Sequence, residues 1–317
     1  TEFHMKSFII ADRAYTFHTS ISEELQINPA KSYLCELPHL TCLSVIGEKG
    51  KDFLQGQLSC DVLEATKERF TKGALCNLQG RIKTLLDVIY CHDYQLVMPL
   101  DLLPSIERDL RLPAMLSRVK LHRSQNYQIF GIIGNPDDTL LPEAVRIPAG
   151  KSFVLREDFC CYQVSENLWM LLTTNDEAKR LLQNYHEHQQ YRGSLLWHYY
   201  YLKAGLFSIY PQSSDYFLPH KVSLQKLGFL NFNKGCYKGQ EVIARMHYRA
   251  KLKHELKFYE IESSETFSIK DKLYAADTHQ EVGEIIDFCP LGNQTFLIAA
   301  SVLIEFPGKP LILSVRG

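Results

Sequence analysis

At 317 residues the chain has room for two or three domains, each with its own core. Its 45% hydrophobic and 22% charged fractions are those of an ordinary soluble globular protein, and no apolar run reaches the roughly 18 residues that a membrane span needs. A net charge of -1 gives no global attraction to nucleic acid or anionic membrane, so any such binding requires a local patch.

The opening TEFHM reads as a cloning scar, with native numbering expected from Met5, and no export signal is evident. Nine scattered cysteines without a C-x-x-C pair then suggest free thiols in a reducing, cytoplasmic setting. They argue against a zinc or iron–sulfur site, and no metal site is expected. After an irregular start, HLTCLSVIG (39–47) reads as a strand. KDFLQGQLSCDV (51–62) reads as a helix with Phe53, Leu54 and Leu58 on one face. GALCNLQGRIKTLLDVIY (73–90) is a hairpin turning at Asn77–Gly80, YQLVMP (94–99) pairs next, and LLPSIERDLRLPAMLSRV (102–119) is a helix interrupted or restarted at Pro113.

The middle repeats this pattern. YQIFGIIG (127–134), CYQVS (161–165) and LWMLLTT (168–174) read as strands, with Cys160 and Cys161 on opposite faces. A helix over 175–185 follows, capped by Asn175 or Asp176, and then an unusually aromatic helix over 194–206. From about Lys253 the pattern becomes short strands and turns, which predicts a small antiparallel barrel of about 65 residues. Strands and helices alternate without the Gly-rich turns of a dinucleotide-binding fold, so the fold class is α+β. The expected division is 5–252 and 253–317.

Three segments carry chemistry. NKGCYKGQE (233–241) sets Cys236 between Lys234 and Lys238, ahead of a helix whose N-terminus would favour a thiolate. The thiol either packs under that helix or is an accessible nucleophile. From Lys234 to Lys257, seven basic residues stand against two acidic ones, with Tyr237, His247 and Tyr248 interleaved. That pattern suits a phosphate backbone or a polyanionic cofactor tail, Arg245 included, and equally a solvated helix end. In LLWHYYYLKAG, Trp197, Tyr200 and Tyr201 share a helical face that fills a core or stacks a flat heterocycle.

The segment FLPHKVSLQKLGFLNFNKGCYKGQEVIARMHYR (217–249) resembles the signature of the YgfZ-type folate-binding proteins, relatives of the glycine-cleavage T protein, an aminomethyltransferase. The specific part is K-G-C-Y-x-G-Q-E at Lys234–Glu241, supported in order by GEKGKDFLQGQLSCDV, CNLQGRI, LPAMLSRVKL and WHYYYLKAG. The resemblance implies interleaved ferredoxin-like α+β units and a C-terminal β-barrel around a central tetrahydrofolate cavity. It further implies a bacterial cytoplasmic role in tRNA modification and iron–sulfur protein maintenance. The expected form is a monomer, with tRNA-modifying iron–sulfur enzymes or tRNA itself as partners.

Carried over, Cys236 is the motif cysteine expected at that cavity, and Trp197 the indole lining it. Leu40 stands where some members place a second aromatic. Lys203 precedes Ala204-Gly205 where a carboxylate is usual, and a lysine cannot accept hydrogen bonds. Tyr237 and Arg245 complete the expected cofactor-binding set. T proteins carry an acidic pair after the hairpin glycines, and Thr84 and Leu85 occupy those places here, with Asp87 displaced along the strand. The aminomethyltransferase reading is therefore the alternative to a folate-dependent accessory protein, and a non-catalytic RNA-binding module is a third.

Overall fold

Three sheets and an N-terminal hairpin make up this computed structural model, which describes residues 4–125 and 127–312. The start of the chain is not irregular. Lys6–Ile10 and Arg13–Phe17 pair about Ala11 and Asp12, whose φ of 48° and 68° give the two-residue turn that matches strand twist. Ile21–Glu24 follows as one helical turn, closed by a capping box between Ser20 and Glu23.

The five-stranded sheet runs Thr71–Cys76, Ile82–Cys91, Asp93–Pro99, Leu40–Ile46, Lys120–Arg123, all antiparallel. Its hairpin turns where expected, with Gly80 at φ +75°. The six-stranded sheet runs Phe153–Leu155, Phe159–Ser165, Leu168–Thr174, Tyr127–Gly134, Ser32–Glu36, Tyr191–Arg192, antiparallel except for its last pair. Period-two alternation sorts its side chains. Cys160, Tyr162, Met170 and Leu172 enter the main core, while Phe159, Cys161, Trp169 and Leu171 enter a smaller one. Cys160 and Cys161 therefore do lie on opposite faces. The helix Asn175–Glu187 covers the smaller core with Ala178, Leu181 and Tyr185, and its N-cap is Thr174 rather than Asn175 or Asp176.

The helix Leu103–Leu116 runs unbroken through Pro113, contrary to the expected interruption. Proline removes the bond to the carbonyl four residues back, but so near the C-terminus little helix remains to be lost. Leu103, Ile106, Leu110 and Ala114 keep one face buried throughout.

Beyond Lys253 four strands pair antiparallel in the order His254–Glu262, Thr295–Leu303, Glu281–Gly292, Lys272–Tyr274. Among the described residues this sheet is open, not the closed barrel that was expected. The last expected strand, LILSV, lies mostly outside the described residues, although Leu311 bridges to Tyr274. The architecture is mixed α+β, and no helix is long and apolar enough to cross a membrane among the described residues.

Candidate functional site

A cavity opens where the helix Ser194–Lys203 meets both large sheets. Trp197, His198 and Tyr201 come from the helix, Leu85 and Asp87 from the hairpin strand, and Met170 from the six-stranded sheet. Trp197 is only 3% exposed. Its indole lies against Gly131, where an added Cβ would sit 2.1 Å from the ring, and it stacks with Tyr201 at 6.3 Å. The indole is thus core and cavity wall together, whereas Tyr200 is half-buried away from the cavity. Leu40 and His39 close another side. The free volume is about 50 Å³, well below the roughly 300–1,000 Å³ of ordinary ligand pockets.

Polar groups converge here from distant parts of the chain. Asp287, fully buried, accepts from the Tyr210 hydroxyl at 2.7 Å and the Ser208 N–H at 2.8 Å, with His198 Nε2 at 3.1 Å. Tyr210 in turn meets the Tyr15 hydroxyl at 2.8 Å. Arg13 fixes the hairpin behind it, donating to both oxygens of Asp101 and to the Ile209 carbonyl, with its guanidinium 4.1 Å from the centre of the Tyr210 ring. Burial holds His39 well below the ordinary histidine range, and Arg13 and His198 add to that, so the ring is neutral.

Asp87 is the acidic group of the cavity wall. One oxygen accepts from the Tyr162 hydroxyl at 2.8 Å. Burial pushes its pKa up to about 6, opposed by that hydrogen bond and by Lys72, its cross-strand neighbour. The two positions of the T-protein acidic pair hold none of this chemistry. Thr84 is buried and donates to the Leu85 carbonyl, and Leu85 is an apolar part of the wall. Asp87 shares Leu85's face of the strand, two residues on, so its displacement leaves it inside the cavity.

The signature motif stands elsewhere. Lys234 donates to the carbonyls of Gln55, Leu58 and Cys60, each at 2.7 Å, so its three N–H groups pin the loop to the end of the helix Gly50–Gln57. It is not held as a counterion for the thiol. Gly239, at φ +84°, lies against the hairpin turn, where a Cβ would come 2.5 Å from the Asn77 carbonyl. The helix Gln240–Arg249 then rests Val242 on Gly80 and buries Ile243. Cys236 is exposed at the surface and does not line the cavity. Tyr237 is buried with an unpaired hydroxyl, Arg245 is exposed on the helix, and Lys203 is exposed with its ammonium 5.9 Å from the Tyr199 ring centre. Of the expected cofactor set, Trp197 and Leu40 are brought together at the cavity; Lys203, Tyr237 and Arg245 are not.

The basic stretch is also reduced. Lys257 donates to the carbonyls of Leu303, Ile304 and Phe306, as Lys234 does to its own three. Arg245, Arg249, Lys251 and Lys253 remain exposed, beside a 69% exposed Tyr248.

No family model matches the chain. It is 26% identical over 245 residues to the tRNA-modifying protein YgfZ of Vibrio atlanticus, across 77% of this chain and 73% of that one. It is also 24% identical to the protein of the same name in Hamiltonella defensa, across 87% of this chain and 84% of that one. The chain is similar to the YgfZ proteins. Its fold matches that of the glycine cleavage system aminomethyltransferase T from Bartonella henselae, with a TM-score of 0.77, covering 99% of this chain and 94% of that one at 13% identity. The likeness read from the K-G-C-Y motif to YgfZ-type proteins and the T-protein fold is thus upheld. Arg13, Tyr15, His39, His198 and Asp287 were missed as site residues beside that YgfZ signature. For Arg13 and Tyr15 the signal was present, since KSFII and RAYTF flank a two-residue turn.

Proposed function

We propose that the chain is a tetrahydrofolate-binding accessory protein of tRNA modification, serving iron–sulfur protein assembly or maintenance in the bacterial cytoplasm. The observation that carries this reading is the helix Ser194–Lys203, which presents Trp197 and Tyr201 to a cavity with an acidic wall in a T-protein fold. Trp197, Tyr201 and Leu40 would hold the pterin ring, which would carry the one-carbon chemistry. The chemical character fits; the narrow volume means that a pterin enters by displacing side chains such as Leu40 or Met98, both on the cavity wall. The reading includes a boundary near Lys253, with two interleaved ferredoxin-like units before it and the open four-stranded sheet after it.

Calorimetric titration with tetrahydrofolate tests the ligand. Trp197→Ala should weaken binding by about 1–3 kcal/mol, with Trp197→Phe between it and the wild type. Equal affinity in all three folded chains would leave Trp197 a core residue alone.

Cys236 is the surface through which this reading has the protein act. Seven cysteines are buried and Cys91 is half-buried, so brief alkylation followed by mass spectrometry should label Cys236 first. Cys236→Ser should fold normally and fail to restore tRNA modification in cells lacking the protein. Full restoration by the serine variant would remove the thiol from the mechanism. A second reading, RNA binding, is favoured by the exposed Arg245, Arg249, Lys251 and Lys253 beside Tyr248. Steep weakening of tRNA binding with salt would support it.

A further inference from the structure

The cavity has a carboxylate oxygen without a protein partner. Tyr162 occupies Oδ2 of Asp87, and no described group donates to Oδ1. Among the described residues no cation lies within ion-pair distance either: Lys83, on the same strand, is taken by Asp109 and Asp215, and Lys72 is turned over the Phe229 ring at 5.1 Å. The residue nevertheless keeps accessible surface, and that surface belongs to the cavity wall shared with Trp197 and Tyr201. An acceptor held this way, with one oxygen anchored and the other free beside an aromatic wall, is arranged for a donor that arrives with a ligand.

We propose that Asp87 is the ligand-anchoring acceptor of this cavity, its free oxygen receiving the N–H edge of a planar nitrogen heterocycle packed against Trp197. The proposal rests on the tetrahydrofolate reading and adds to it the residue that reads the ring. It also accounts for Lys203. That side chain stands exposed, away from the cavity, and cannot accept; the acceptor is provided from the hairpin strand instead. Tyr162 is a positioning residue here, fixing the carboxylate plane through the anchored oxygen.

The groups that face Asp87 set its pH behaviour. They are Lys72 across the strand pair, Tyr162 from the six-stranded sheet, and Tyr201 and His198 from the helix, with His39 also on the cavity wall and the Asp287 charge acting on Tyr201. Lys72 and Tyr162 favour the ionised form, while burial opposes it. Neutral N–H donors bind the ionised form, so affinity falls as the carboxyl takes up a proton on acidification.

Wild-type chain and Asp87→Asn are titrated calorimetrically with tetrahydrofolate and with a tetrahydropterin lacking the glutamate tail, at several values between pH 5 and 8. At pH 7.5 the asparagine should lower affinity at least tenfold for both ligands, because its NH2 opposes the ligand's donors. Wild-type affinity should decline toward pH 5, and this decline should be absent from Asp87→Asn. Wild-type binding that is matched within twofold by Asp87→Asn at every pH overturns the role of Asp87 alone. So does a loss confined to the ligand with the tail. Failure of the wild-type chain to bind either ligand overturns the folate reading, and this one with it.

Discussion

Replacing Gly131 with alanine should destabilise the chain by about 3 kcal/mol, at the upper end of the usual overpacking range. Gly131 lies on the strand Tyr127–Gly134, paired with Met170 and Cys35, so its backbone is held on both sides. The added Cβ would fall 2.1 Å from Cε3 and 2.6 Å from Cδ2 of the Trp197 indole. Neither the strand nor a 3% exposed indole can yield that distance cheaply. Urea denaturation measures the effect directly. A midpoint equal to the wild type's would show that the ring has room to move, and would remove the reason for a glycine there. The same shift of the indole should disturb the cavity wall, so tetrahydrofolate affinity and stability are expected to fall together.

The second large effect is a pH dependence. The Asp87 carboxyl has an ordinary value of 3.8 and stands at about 6 in the folded chain. The folded state therefore binds the proton more tightly than the unfolded one. This contributes about 3 kcal/mol of stability below pH 4, lost as the pH rises through 6. Asp87→Asn has no proton to lose. Relative to the variant, the wild type should be destabilised increasingly between pH 4 and 7, and then level off. The comparison must be a difference between the two chains, because burial pushes His220 down to about 4 and its titration moves total stability the opposite way. A difference that stays constant across that range would mean that Asp87 is solvated as freely in the native state as in the unfolded one.

Local pattern made much of the fold legible. Alternation assigned Cys160 and Cys161 to opposite faces, and the glycine of LQGRI marked a turn that needs a left-handed residue. Pro113 misled because a helix near its end can lose one hydrogen bond when its buried stripe continues. The candidate site was legible only in part, since its cavity is assembled from pairings far apart in the chain. Trp197 and Leu40 were found through family likeness. Asp87 was discounted by counting positions along a motif, although period two puts it on the same face as Leu85. Lys234 could not be read at all. Its lysine looked like a partner for the neighbouring thiol, and its acceptors are carbonyls more than 170 positions away.

The hydrogen-bonded chain from Tyr15 through Tyr210 to Asp287 and His198 also bears on the birth of the protein. Tyr15 leaves the ribosome 272 positions ahead of Asp287. At about 5–20 residues per second, the gap between them is roughly 14–54 s. The helix carrying Trp197, once made, still precedes Asp287 by more than 80 positions, and until then it lacks the carboxylate that His198, Tyr210 and the Ser208 amide require. The nascent N-terminal part must therefore wait in an incompletely satisfied state, in reach of chaperones and of the wrong partners. Completion of that network waits until Asp287 has emerged.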